Sequence, residues 1–344
     1  MDKHERLGNA LRGLPVDRPP VWFMRQAGRY MSEYRELRSR VSFLELCHTP
    51  ELACEVTLQP VERFEPDAAI VFSDILPVLS AIGRDFTMEK GVGPRVPEPV
   101  RTEADVRSLV RPDVSEALPW VPETLRLFRS ARPDTPILGF AGAPWTLFCY
   151  LVEGAGSKNW LEPKRMIMNA PHLAEQVLGL LADVVGDYLQ SQIDAGAAGV
   201  QMFDTWAGAL SREDYERFAL PAAIRAFERV SGAPRIFYSK DLSAILPIAK
   251  QTGADVMGID WRTDMAEARA LLGDMPVQGN LDPVALYGPP ADIAAKVRRI
   301  IRAAGPTGHV FNLGHGVLPT TPVEGVDAMM QAVKSWSWDQ PTDA

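Results

Sequence analysis

Cysteine is scarce in this chain: Cys47, Cys54 and Cys149 are the whole supply, an odd number with no CxxC pair. That excludes a disulfide framework and a four-thiolate metal site, and it fits a reducing compartment. Long apolar runs are missing too. No stretch approaches the roughly 18 apolar residues of a membrane span, and MDKHERLGNALRG at the start lacks the apolar centre of a secretory signal. The protein is therefore expected to be cytoplasmic. Positive charge is in the minority, 36 Lys and Arg against 44 Asp and Glu, a net charge of -8. A chain of that sign repels polyanions as a whole, which argues against nucleic acid and membrane as partners. No Walker or dinucleotide-type phosphate loop follows an apolar run, and GVGP at 91–94 reads as a turn. Cys47, His48 and Cys54 come nearest to a metal set, but they fall in a helix-entry segment and no second His/Cys pair has ligand spacing. Any catalysis is expected to use side chains alone, with no metal and no organic cofactor.

What the chain has in quantity is apolar residue, 46% against 23% charged, enough to bury a large core. Eight short apolar runs recur along it: VWFM (21–24), AAIVFS (68–73), PILGFAG (136–142), GVQMFD (199–204), RIFYS (235–239), VMGID (256–260), PVQGNL (276–281) and HVFNLG (309–314). Helix-like segments separate them. Residues 177–193 place Val177, Leu180, Leu181, Val184, Val185, Tyr188 and Leu189 on one stripe. Thr49-Pro50-Glu51 reads as a helix start, and Thr321-Pro322 with Glu324 reads as a capping box. Runs that are apolar on both faces and alternate with helices imply parallel strands joined by right-handed crossovers. Eight such units favour an α/β fold closed as a (β/α)8 TIM barrel, a single domain over 1–344 with 87–135 as a long insertion.

In such a barrel the working residues sit where strands end. Those positions carry Arg25 and Arg29, Asp74, Tyr150, Asp204 with Thr205, Ser239 and Lys240, Asp260, Asn280 and Asp282, and His315. Arg25 and Arg29 flank a glycine in RQAGRY, so both guanidinium forks can converge on one carboxylate; rim salt bridges are the plainer reading. Asp74 ends an apolar run, where an ionised carboxylate is costly unless paired; it is either a helix cap or a fixed counter-charge inside the ring of strand ends. His315 between two glycines can titrate near neutrality or serve as a structural hydrogen-bonder, the role expected of His309. Tyr150 can equally be helix packing, and Lys240 is a third cation of open role.

RQAGRY at 25–30, VFSDI at 71–75, FAGAPWTL at 140–147, FDTWAG at 203–208 and NLGHG at 312–316 stand in one order along the chain. Through these five blocks the chain resembles the uroporphyrinogen decarboxylase family, from about residue 15 to about 335. The resemblance implies a barrel, a homodimer, and cofactor-independent loss of CO2 from the four acetate side chains of uroporphyrinogen to give coproporphyrinogen. It implies an arginine loop at Arg25, Gln26, Ala27, Gly28 and Arg29, and a central aspartate at Asp74 that meets the pyrrole N–H groups. Tyr150, Thr205 and His315 would be the remaining substrate-binding residues, and Asp74, Arg25 and Arg29 the catalytic ones. Three rivals are a zinc- and corrinoid-dependent methyltransferase, for which the needed His-x-Cys pair is absent, a Schiff-base lyase using Lys240, and a carrier that binds a tetrapyrrole without reacting.

Overall fold

Apolar runs too short for a helix and rich in β-branched or aromatic residues become strands, and those strands lie side by side. The computed structural model describes residues 1–89, 93–241 and 243–338. In it the strands are β1 (Ala69–Ile70), β2 (Thr87–Glu89), β3 (Gly93–Arg95), β4 (Ile137–Gly142), β5 (Gly199–Asp204), β6 (Arg235–Ser239), β7 (Val256–Gly258), β8 (Val277–Leu281) and β9 (His309–Leu313). Among the described residues, β1 and β4 through β9 form a curled sheet of seven parallel strands in the order β1-β4-β5-β6-β7-β8-β9. Its strands are buried almost throughout, as a parallel sheet covered by helices requires. The expected runs at 199–204 and 235–239 match β5 and β6 residue for residue.

The expected first strand, VWFM at 21–24, is not one. Val21 makes a single parallel bridge to Phe311. Around it Phe311 N donates to Pro20 O at 2.8 Å, and Asp67 N donates to Val21 O at 2.8 Å. The segment therefore touches β9 on one side and the entry to β1 on the other. A buried ionic clamp, not a ladder, holds it. The Asp67 carboxylate accepts from Arg6 Nη1 at 2.8 Å, Arg18 Nη1 at 2.6 Å and Val21 N at 2.9 Å. A carboxylate buried with two guanidinium partners and a backbone donor is fully satisfied.

Helix Pro171–Asp194 contains the expected stripe, with Val177, Leu181, Val184, Val185, Tyr188 and Leu189 buried. Its Gln192 reaches the backbone of β4, accepting from Phe140 N at 2.8 Å and donating to Phe140 O at 2.9 Å. Of the two helix-start readings, the first holds, with Pro50 opening the helix and Glu51 in its first turn, and the second needs correction. Thr49 holds the N-cap position of helix Pro50–Phe64, but its side chain makes no capping bond. Pro322 caps helix Val323–Lys334, and Thr321 Oγ1 instead accepts from Leu318 N at 3.0 Å, so no capping box forms. The 87–135 insertion holds the antiparallel β2–β3 hairpin and helices Glu103–Arg107, Val114–Ala117 and Trp120–Ala131. Of the expected turn at 91–94, residues 91 and 92 lie outside the described residues, while Gly93 and Pro94 belong to β3. Among the described residues no helix is long and apolar enough to cross a membrane.

Candidate active site

The C-terminal ends of β1, β4 and β5, the loop after residue 24 and the turn after β9 enclose a cavity of about 600 Å³. Strand ends of a parallel sheet form such a crevice because each chain leaves the sheet there to enter a helix. Its walls are largely apolar, with Phe72, Phe140 and Phe203 among them. The Phe140 and Phe203 rings meet edge to face, 5.6 Å between centroids. Arg25, Arg29, Asp74, Tyr150, Thr205 and His315 supply the polar groups.

The loop that brings in the arginines is shaped by two left-handed residues. Arg25 has φ 61, a conformation that costs a side-chain-bearing residue about 1–3 kcal/mol and that persists where the surroundings enforce it. Gly28 has φ 80, and a Cβ there would overlap the Phe72 ring. Gln26 turns inward. It is fully buried, its Oε1 accepts from Phe23 N at 3.1 Å and its Nε2 donates to Ala68 O at 3.3 Å, so it braces the loop and does not line the cavity. Ala27 and Gly28 do line it.

The Arg25 side chain is exposed within the cavity, with protein packed close around it. Burial pushes its guanidinium down from the ordinary value, and the Asp74 charge pushes it back up. The Nε of Arg29 is buried with no hydrogen-bond partner. Neither arginine enters an ion pair among the described residues, in contrast with the rim arginines Arg225 and Arg229, which hold Asp183 and Asp187. Asp74 Oδ1 accepts from Leu76 N at 2.8 Å. Burial pushes its carboxyl above the usual range, opposed by the N–H of Leu76, by Arg25 and by the N–H of Ile75. Its cap-like hydrogen bond and its place in the cavity coexist, so the two readings of this residue are not exclusive.

Tyr150 stands on helix Pro144–Glu153 after β4, with its ring edge-on to Trp160 at 5.2 Å. Burial pushes its phenol up, and the Trp206 indole beside it pulls the other way. Thr205 follows β5 directly. His315 Nδ1 lies 3.1 Å from Tyr238 Oη. Burial, then Arg25, Lys240 and Arg262, push its imidazole down to about 3.

The remaining strand-end residues are spoken for elsewhere. Asp204 is sealed under Thr146, whose Oγ1 donates to it at 2.7 Å. Ser239 Oγ donates to the neighbouring Lys240 O. Asp260 accepts from Asp241 N at 2.8 Å, and Asn280 donates to Asp260 O at 2.9 Å. Asp282 caps the short 3-10 helix Pro283–Tyr287. Lys240, the third cation of open role, is absent from the cavity wall; it lies 3.6 Å from Asp241 and over the Trp206 ring. His309 is the structural histidine expected, its Nε2 2.9 Å from Gly279 O. Cys47, Cys54 and Cys149 are buried free thiols.

Reading by residue type alone passes over Phe72, Phe140, Phe203 and Tyr238. Each is an aromatic within or beside a strand, so each reads as core. What separates them is position: Phe203 and Tyr238 are next to last in β5 and β6, Phe72 follows β1, and Phe140 lies in the second half of β4.

The uroporphyrinogen decarboxylase family profile matches residues 2–336. A protein named uroporphyrinogen decarboxylase in Myxococcus xanthus is 48% identical over 335 residues, 96% of each chain. One of the same name in Chloroherpeton thalassium is 45% identical over 347 residues, 98% of each chain. Among solved structures, a methyltransferase from Methanosarcina mazei superposes with a TM-score of 0.83 at 21% identity, covering 97% of this chain and 98% of that one. That last likeness concerns the fold.

Proposed function

Because the chain belongs to the uroporphyrinogen decarboxylase family, a family of carboxy-lyases, we propose that the cavity is where uroporphyrinogen binds and loses the carboxyl groups of its four acetate arms. The reaction yields coproporphyrinogen and belongs to porphyrin and haem biosynthesis. One observation carries the assignment of the cavity: Arg25 and Asp74, of opposite charge, face the same apolar enclosure without an ion pair between them. Each charge is therefore left for a ligand that brings both carboxylates and N–H groups.

The chemistry sets what these groups must do. An acetate on a pyrrole cannot lose CO2 until electrons have somewhere to go. Protonating the adjacent ring carbon makes an iminium-like cation, which accepts the electron pair of the breaking carbon–carboxyl bond. The substrate is thus its own electron sink; the exocyclic methylene left by CO2 then takes a proton to become the methyl group, and the ring carbon gives its added proton back. Asp74 as carboxylate accepts hydrogen bonds from pyrrole N–H groups, each worth about 1.5–3 kcal/mol, and this stabilisation grows as the ring becomes positive. Arg25 and Arg29 clamp carboxylates and steer the departing one. The proton reaches the ring carbon either through an arginine, a poor acid, or from a water held by Arg29 or Asp74. Tyr150, Thr205 and His315 complete the binding wall. Phe72, Phe140 and Phe203 give the macrocycle an apolar bed and exclude water, which strengthens every charge interaction inside.

The same reading takes the fold as a closed (β/α)8 barrel, one domain, in which residues 20–22 fill the eighth position between β9 and β1. The bridge to Phe311 and the bond from Asp67 to Val21 support it. A cytoplasmic homodimer is the corresponding expectation for the assembly. The test is anaerobic incubation with uroporphyrinogen and chromatography of the products. Hepta- through tetra-carboxylate species are expected, and binding without product would turn the reading into a carrier.

A further inference from the structure

The turn after β9 carries a hydrogen-bond chain that the roles above do not use. Tyr238, on β6, is fully buried, and its Oη lies 2.7 Å from Gly314 O and 3.1 Å from His315 Nδ1. A phenol has one proton. A carbonyl oxygen can only accept, so that proton goes to Gly314, and the Tyr238 oxygen can meet His315 only by accepting. His315 Nδ1 must therefore carry a hydrogen. Burial, and after it the positive charges of Arg25, Lys240 and Arg262, disfavour a second proton on the imidazole. The ring has little freedom to turn. Trp261 packs on it at 6.1 Å between centroids, Tyr238 lies nearly parallel to it, and Gly314 has no room for a Cβ against Trp261.

We infer that Tyr238 is a positioning residue: it fixes His315 as the neutral Nδ1–H tautomer, so that the ring meets substrate through the Nε2 lone pair. A lone pair accepts a hydrogen bond and repels a bare carboxylate. His315 then differs in kind from Arg25 beside it. The arginine takes an ionised arm of the macrocycle, while the histidine takes a donor, either a ring N–H or a water that bridges to a carboxylate. The same tautomer makes His315 unfit to deliver the proton to the ring carbon, because its Nδ1 proton points to Tyr238 and its Nε2 has none. The substrate half of this inference rests on the assignment of the cavity given above; the tautomer does not.

Nitrogen-15 NMR of histidine-labelled full-length protein tests the tautomer without substrate. At neutral pH His315 should show a pyrrole-type Nδ1 and a pyridine-type Nε2; the reverse pattern, or an imidazolium, overturns the inference. In Tyr238→Phe the single-tautomer pattern should be lost and KM should rise by about 3–10-fold, one hydrogen bond's worth, with kcat within about twofold. A wild-type spectrum and a wild-type KM in that variant also overturn it. On adding uroporphyrinogen the Nε2 resonance should move. Coupling from Nε2 to nitrogen-15 in labelled macrocycle identifies the ring N–H as donor, a shift without coupling identifies water, and an unmoved Nε2 resonance overturns the substrate half alone.

Discussion

Gly316 and the Arg25 side chain adjoin so closely that a Cβ on residue 316 would overlap the arginine's Cγ and Cδ. The glycine of the last block thus sets where the arginine of the first block can lie. Gly316→Ala should displace the guanidinium and lower kcat/KM by roughly 100-fold, the usual penalty for misplacing a group by about 1 Å. Melting should change by only a few degrees. Unaltered kinetics would mean that the Arg25 position is not critical.

Asp74→Asn keeps the shape of the side chain and removes its charge. Macrocycle binding, followed by fluorescence of the oxidised ligand, should stay near wild type, while turnover should fall by about 100-fold or more as the counter-charge to the cation is lost. Equal turnover in the two proteins would sink the role given to Asp74.

Arg29→Lys retains the charge and loses the planar fork. Since Arg29 Nε is buried without a partner, a lysine cannot reproduce what a ligand finds there. Activity should drop by at least about tenfold. Steady-state assays showing wild-type constants would remove Arg29 from the site.

The pH dependence follows from Asp74 and Arg25. Burial raises the Asp74 carboxyl, and the role proposed for it needs it ionised, so the rate should rise with pH through a value above the ordinary carboxylate range. Arg25 holds that value down. In Arg25→Gln the acid limb of the rate profile should therefore move to higher pH, on top of weaker binding. A limb that stays in place would show that the two charges do not communicate.

Asp204, sealed beneath Thr146 and pushed by burial up to about 7, gives a stability effect of opposite sign to that of a salt-bridged carboxylate. The folded protein binds a proton there that the unfolded chain, with a value near 3.9, releases early. Its contribution is complete below about pH 4 and is lost as pH rises through 7, at most about 4 kcal/mol in all. Asp204→Asn mimics the protonated form. Denaturation between pH 4 and 8 should show a wild-type decline that this variant lacks; parallel curves would exclude Asp204 as its source.

Much of this was legible in the residues themselves. β5 and β6 could be read off because an apolar run bounded by glycine or proline has no rival conformation at that length. VWFM was misread because its neighbours along the sheet are supplied by distant residues, Phe311 and Asp67, and an ionic clamp does the holding that a ladder would otherwise do. The arginine pair, Asp74, Thr205 and His315 were visible as polar residues where polarity is costly. Gln26 shares the arginines' sequence block yet faces away, since a tight loop points alternate side chains to opposite sides. Lys240 could not be placed for a related reason: a residue just past a strand end can turn toward any neighbour, here Asp241 and the Trp206 ring. Tyr238 gave no sign, because a tyrosine in an apolar strand looks the same whether its hydroxyl is idle or bonded.

The Val21–Phe311 bridge ties together residues 290 positions apart, and Met24 N donates to Asn312 Oδ1 while Val317 N donates to Met24 O. The arginine loop begins at the very next residue. Its mooring therefore lies at residues 311–317, far along the chain from the loop itself. Contacts of such separation are slow to form. A chain cut before residue 309 would keep Arg25 and Arg29 but lose β9 and the turn that moor their loop, and it should fail to hold a polyanion there.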